Sequence, residues 1–263
     1  MGVEHSGRAD PDRILPLLWR HTRPVAADDS RPGLGRRRRL TLDAVVTAAL
    51  ALADADGLAA MSMNQVAASL GVGTMTLYTY VPSKADLVDL MVDEVLTERA
   101  LPGPSEPRPE PWREQVALYA ERTRAMYRRH PWLRHVSTVR PPIGPGMLAE
   151  REYVLSTLAG TGLTPQQLNA AALAITAFVT TTASLETDSD ELERSTGQSH
   201  DAWWQERTQL WEEYFDVERH PTMTRVWNSG GFDRGTTDQM AAAHEFGFER
   251  LLDGIEAMTT RAG

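Results

Sequence analysis

Cysteine is absent from all 263 residues, so the chain can hold neither a disulfide framework, nor a thiolate nucleophile, nor a zinc site built on cysteine. Such a chain suits a reducing cytoplasm. No apolar run approaches the roughly 20 residues needed to span a bilayer. The N-terminus mixes charges of both signs instead of leading from a basic start into a cleavable apolar stretch. A soluble, cytoplasmic protein with no membrane partner is expected. Sustained alternation of apolar and polar residues is also missing, which leaves strands without support. Gly-rich phosphate loops, GxSxG elbows and paired His/carboxylate motifs are lacking, so an enzyme is disfavoured. His130, His135, His200, His220 and His244 show neither HExxH nor i, i+4 pairing, and neither a metal nor another cofactor is expected.

What is present is helical. Leu, Ala, Val, Met and Trp are plentiful at helical spacing, and the length favours one small domain plus one larger one. An all-α protein follows. Its charge is unevenly spread. A net charge of −9 looks wrong for a nucleic-acid binder, yet residues 1–40 carry nine arginines against five acids, a net of +4. Residues 41–100 carry Lys84 and Arg99 against eight acids, a net of −6, and the remainder contributes −7. Positive charge is therefore concentrated in Arg36, Arg37, Arg38 and Arg39, where it could reach phosphates or a narrow minor groove. A solvated basic tail is the plainer reading of the same run.

Leu42 to Ala55 repeats apolar residues at helical spacing and stops at Asp56-Gly57. A short helix follows from Met63 to Leu70, closed by Gly71, which can supply the left-handed backbone of a tight turn. The next segment, about Gly73 to Tyr80, is too short to be a stable helix alone. Together they read as a helix-turn-helix. Residues 41–87 resemble the DNA-binding domain of the TetR family of transcriptional regulators. ADADGL ends the first helix, MNQVAASLG forms the second, and VGTMTLYTYVPSK supplies a recognition helix, an aromatic pair and a lysine. The match covers about a fifth of the chain.

In such a motif the recognition helix presents its N-terminal residues to base edges, here Gly73, Thr74, Met75 and Thr76, followed by Tyr78. Thr hydroxyls, the Thr methyl, Met75 and the Tyr78 ring make modest contacts with no Arg or Asn fork, so shape and the arginine arm carry part of the discrimination. The resemblance adds Asn64 as a residue facing the DNA, and Tyr80 and Lys84 as holders of the phosphate backbone. Ser83 is placed to cap the next helix, from Ser83 to about Leu96. Packing is the blander reading of Tyr80, and an ordinary first-turn cation that of Lys84.

Pro102 to Pro111 holds five prolines in ten residues and reads as a linker. Three regions follow: a flexible N-terminal extension over 1–35, a head over 36–100 and a body over 101–263. Within the extension, the apolar island Ile14 to Trp19 packs on the body or forms one helical turn. Body helices are expected at Trp112 to His130, Met147 to Ala159, Pro165 to Glu186, Asp201 to Val217 and Thr237 to Thr260, with Asp188 to Glu193 as an acidic loop. YRRHPWL at Tyr127 to Leu133 and EFGFERLLDGI at Glu245 to Ile255 are similar to the ligand-binding and dimerisation domain of tetracycline-repressor-like regulators. That resemblance implies a homodimer on a palindromic operator, released by a small-molecule effector, with repression as the default. Expected dimer residues are Leu168, Ala172, Ile175, Val179, Phe248, Leu251, Leu252 and Ile255. Expected pocket residues are Met126, Tyr127, Trp132, Phe178, Thr181, Trp203, Trp204, Trp211, Tyr214 and Phe215. The rivals are a helical interaction or ligand-binding protein that no longer binds DNA, and an all-α enzyme.

Overall fold

The computed structural model describes residues 4–22 and 40–259. The chain divides into two compact units, Met1–Gly160 with Thr164–Ser184, and Thr161–Leu163 with Leu185–Gly263. Among the described residues the architecture is all-α apart from one two-residue parallel pair, β1 Glu4–His5 with β2 Val136–Ser137.

In the first unit, α2 (Leu42–Asp56) starts where the Thr41 hydroxyl accepts from Ala44 N–H and stops at Gly57, whose φ is +81°. Val45, Val46, Ala49, Leu50 and Ala53 form its buried face. At α3 (Met63–Ser69), Ser62 accepts from Gln65 N–H while its hydroxyl donates to Gln65 Oε1. Gly71, at φ +67°, turns the chain into α4 (Thr74–Tyr78), a five-residue helix whose one buried residue is Leu77. Leu77 and Val81 anchor it in the core beneath. Ser83 then caps α5 (Lys84–Glu98), which is buried at nine positions.

The larger part of this unit packs α6 (Trp112–Arg129), a tight turn at Pro131–His135 and α7 (Pro145–Leu158) around α5. The α5–α7 contact is close because α7 enters it through glycines. A Cβ on Gly146 would stand 2.3 Å from the Asp93 carbonyl oxygen, and one on Gly144 would stand 2.3 Å from the Asp93 carboxyl. The first part of α8 (Pro165–Thr196) completes the unit, with Thr176 bonded to Tyr119 of α6 and Asn169 accepting from Arg151 of α7.

Three expectations are corrected here. The extension over 1–35 is not uniformly flexible: residues 4–22 fold, and α1 (Pro11–Leu18), capped by Asp10, buries Ile14 and Leu18. The apolar island is thus core, because it has a greasy surface to cover. The acidic loop Asp188–Glu193 is helix instead. Its charged side chains stay solvated, Arg194 pairs with Glu191, and Ser189 and Glu193 hold His200 and its backbone N–H, so tertiary partners override local turn preference. Hydropathy differs as well: α8 is long and apolar enough, by length and composition, to cross a membrane, with a window of mean hydropathy 1.5. That value sums two stripes, one buried through Ala171, Ala172, Ile175, Val179 and Ala183, the other exposed at Leu173 and Leu185. Threonines interrupt the run between them.

In the second unit the helix expected over Asp201–Val217 is broken. A short α9 (His200–Gln205) is followed by a wide turn at Leu210–Tyr214. Asp216 Oδ1 then accepts from Glu218 and Arg219 N–H, closing the chain before α10 (Pro221–Asn228), which the sequence reading did not include. The last described helix is α11 (Thr236–Thr259).

Gly146→Ala forces a methyl into the Asp93 backbone. It should cost about 1–3 kcal/mol, the range for overpacking, read as a lower urea midpoint with unchanged slope.

Candidate nucleic-acid interface

Three side chains of the head form one exposed ridge. Met75 is 79 % exposed and Tyr78 is 41 % exposed, with Thr76 beside them and Leu77 holding the helix from below. Large apolar side chains left in water at such density on a rigid five-residue helix mark a contact surface. Thr74 is half-buried, and its hydroxyl donates to Asn64 Oδ1 at 2.9 Å. That bond joins the N-terminus of α4 to α3 and leaves the amide N–H₂ of the exposed Asn64 as its donor group. Gly73 precedes the ridge with an extended φ of −75° and is exposed.

The other predicted contacts are placed differently. Tyr80 is half-buried against the head's core. Lys84, the one lysine of the chain, donates from Nζ to the Leu58 carbonyl at 3.2 Å and lies 3.8 Å from Glu4 Oε1. It therefore ties the first turn of α5 to the end of α2, with one third of its side chain exposed. Arg36, Arg37, Arg38 and Arg39 lie outside the described residues.

Behind the ridge, α5 carries a ladder of polar residues along its length. Asp86, Asp89 and Asp93, at i, i+3 and i+7, are buried. Asp86 accepts from Ser83 and pairs with Arg13 at 3.4 Å. Asp89 accepts from Gly7 N–H at 2.9 Å, and Asp93 from Met147 N–H at 3.1 Å, so it caps α7. Burial pushes both the Asp89 and Asp93 carboxyls above their ordinary value, against the lowering effect of those backbone bonds.

The far end of α5 enters the body. The Arg99 guanidinium, 1 % exposed, pairs with Glu150 of α7 at 2.9 Å and donates to Thr123 of α6 at 3.3 Å. Tyr119 donates to the other Glu150 oxygen at 2.5 Å. Burial pushes Glu150 up, but the charge and hydrogen bonds of Arg99 outweigh it, and the carboxyl ends below its ordinary value. Burial first, and Glu150 second, push the Tyr127 hydroxyl up to about 12. A second tie sits alongside: His130, buried, places Nδ1 2.8 Å from Asp54 of α2 and Nε2 3.0 Å from Glu98 of α5. Trp132 donates to the same Asp54 oxygen at 2.8 Å.

The predicted pocket residues fall into separate groups. Met126, Tyr127 and Trp132 are buried in the first unit, where Phe178 is half-buried and Thr181 exposed. Trp132 is a packing residue, since its indole N–H is used by the head. Trp203, Trp204, Trp211, Tyr214 and Phe215 belong to the second unit, where all but Tyr214 join a chain of ring contacts running on to Trp227 and Phe232. Among the dimer residues, Ala172, Ile175, Val179, Leu252 and Ile255 are at most 3 % exposed in the single chain, so they have no surface to give a partner and are corrected to internal packing. Helical periodicity identifies an apolar stripe but not whether its own chain covers it. Leu168, Phe248 and Leu251 are half-buried.

Asp54, Glu98, Arg99, Tyr119 and Glu150 were missed because isolated polar residues on helices look solvated in sequence. The signal available was the spacing of Asp86, Asp89 and Asp93 on the apolar side of α5.

Glu150→Gln leaves a buried guanidinium without its counter-charge. It should cost about 3 kcal/mol at neutral pH. The sign with pH follows from the lowered carboxyl: the stability it contributes is present above the unfolded carboxylate range and is lost as pH falls through the folded value. Thermal unfolding from pH 7 down to pH 3 should therefore converge for wild type and variant.

Comparison with known proteins agrees with this geometry. Residues 45–91 match the family model described as bacterial regulatory proteins, tetR family, and residues 104–259 match the tetracyclin repressor-like C-terminal domain. The chain is 37 % identical over 259 residues to the HTH-type transcriptional repressor DrrR1 of Streptomyces coeruleorubidus, covering 98 % of this chain and 90 % of the relative. Among solved structures it resembles apo ActR from Streptomyces coelicolor, with a TM-score of 0.68, 28 % identity and coverage of 87 % of this chain and 100 % of that one. The complex of ActR with actinorhodin gives a TM-score of 0.69 at 26 % identity, with 86 % and 100 % coverage. A ridge-bearing helix-turn-helix on a helical body, matched by family models over both parts, makes this chain a member of the TetR family of DNA-binding transcriptional regulators.

Proposed function

We propose that two copies of this chain form a cytoplasmic repressor that binds a palindromic operator and releases it when a small molecule enters the body. The observation that carries the proposal is the ridge of Met75, Thr76 and Tyr78, with Asn64 fixed beside it by Thr74. A single ridge of this size buries too little to compete with genomic DNA, and two-fold pairing matches two half-sites about one helical turn apart. In the second unit, exposed Leu185 on α8 and Met240, Phe246 and Met258 on α11 are apolar surface that supports such a pairing. They replace the buried members of the predicted set. The protein acts by binding, with no catalytic step.

Arg36 to Arg39 and Lys84 supply the phosphate contacts. The Leu58 carbonyl occupies one of the three ammonium donors of Lys84, and a phosphate competes with the Glu4 carboxylate 3.8 Å away for the other two. Gly73 allows close approach, and Tyr80 supports the ridge from the rear. The effector is a small organic molecule, as in the ActR complex with actinorhodin, and that compound is the first probe to test. It acts by favouring one of two positions of α5, and shifts the equilibrium only by its affinity difference between them.

The test is selection of a duplex from a random-sequence library by the purified chain, followed by footprinting and titration across salt. A two-fold symmetric footprint with steep salt dependence is expected; absence of any enriched duplex at low salt contradicts the proposal. Lys84→Ala should weaken all sequences alike and reduce the salt slope by about one. Thr74→Val, which unfastens Asn64, should instead alter the preferred base at one position in each half-site.

A further inference from the structure

We propose that the N-terminal segment Glu4–Thr22 is a built-in brake on the switch, a strap that resists movement of α5 relative to the body. The inference rests on the reading of α5 as the moving part, and it adds an element outside both matched family regions, which begin at residue 45.

The strap is fastened to three parts. On the body side, Ser6 N–H donates to the Ser137 carbonyl at 3.2 Å, the Ser6 hydroxyl lies 3.0 Å from the Arg140 carbonyl, and Trp19 Nε1 donates to the Ile143 carbonyl at 2.9 Å. On α5, Gly7 N–H donates to Asp89, Arg13 pairs with Asp86, and Arg20 reaches Glu94 at 3.0 Å. On α2, the same Arg20 guanidinium reaches Asp43 at 2.7 Å. One arginine therefore spans the first and last helices of the head. Gly7 makes the crossing possible: its φ is +68°, and a Cβ there would stand 2.3 Å from the Arg140 carbonyl oxygen.

A strap tied on both sides of a joint opposes motion at that joint. Because it is bonded both to the body and to α5, a shift of α5 relative to the body stretches bonds on one side or the other, and only such a difference between positions would weigh on the equilibrium. Elsewhere along the strap, an open groove of about 470 Å³ separates α1 from the body loop, walled by Ile14, Leu15, Pro142, Ile143 and Met147. Ile14 and Leu18 pack into the core beneath, so the strap is seated by apolar burial as well as by its polar fasteners.

The test uses full-length Gly7→Ala, Arg20→Ala and the conservative Arg20→Lys, whose single ammonium cannot span Asp43 and Glu94 as a guanidinium fork does. The absence of cysteine allows clean spin labels at Thr79→Cys in the head and Ala159→Cys in the body, in dimers diluted with unlabelled subunits. Gly7→Ala and Arg20→Ala should broaden the head-to-body distance distribution and weaken binding to the selected duplex by about fivefold or more, the lower range of allosteric coupling. Arg20→Lys should fall between them and wild type. Unchanged distances and affinity with only a lower Tm would make the strap a fold stabiliser and overturn the proposal. So would tighter DNA binding in the variants. If wild type selects no duplex at all, the DNA-binding reading fails instead, and the distance distributions alone decide the strap.

Discussion

Three carboxylates buried along one helix set the terms for this molecule. A carboxylate taken out of water is costly unless hydrogen bonds or a counter-charge replace its hydration. On α5 the replacements come largely from other segments: Arg13 joins the local Ser83 hydroxyl at Asp86, the strap backbone serves Asp89, and the start of α7 serves Asp93. The helix is comfortable only when all three neighbours are in place. Asp89 and Asp93 sit above their ordinary carboxylate value, so burying them does not maximise stability at neutral pH. By the same sign rule, their contribution is greatest in acid and is lost as pH rises through the raised values. What the ladder supplies is a fixed position for α5.

That position matters because α5 reaches from the base of the reading head to the interior of the body. Near its start, Lys84 holds the end of α2 and Val81 packs beneath α4. At its finish, Arg99 is sunk among Thr123, Tyr119 and Glu150, and Glu98 meets the imidazole of His130, which also faces Asp54. Glu150 and the ridge at Met75 and Tyr78 are therefore tied to opposite ends of the same helix, the one through Arg99 and the other through Val81. The side chains on that ridge are small or apolar and lack a guanidinium fork, so recognition relies on how the helix is presented. A reader of this type is sensitive to small changes in the placement of α5.

Much of this was legible in the amino-acid order, and the divisions follow physical lines. The head could be read because its signals are local: Thr41, Ser62 and Ser83 are caps, Gly57 and Gly71 are turns at positive φ, and Leu77 is an anchor three residues past Thr74. The long helices of the body could be read from periodicity. Pairing between distant segments could not. Nothing near Gly7 announces Asp89 or Arg140 as its neighbours, and nothing in Glu150 announces Arg99. The same limit explains the dimer residues: Ile175 reads as an interface candidate but is covered by its own chain, while Phe246, outside the expected set, is 65 % exposed.

The most direct measurement is amide hydrogen exchange across Thr74–Tyr78 and α5, compared between wild type and Glu150→Gln under conditions where both are folded. If the polar ladder carries the position of the body to the reading helix, exchange should accelerate in α5 and in Thr74–Tyr78, far from the substituted residue. Acceleration confined to α6, α7 and the early part of α8 would contradict the account.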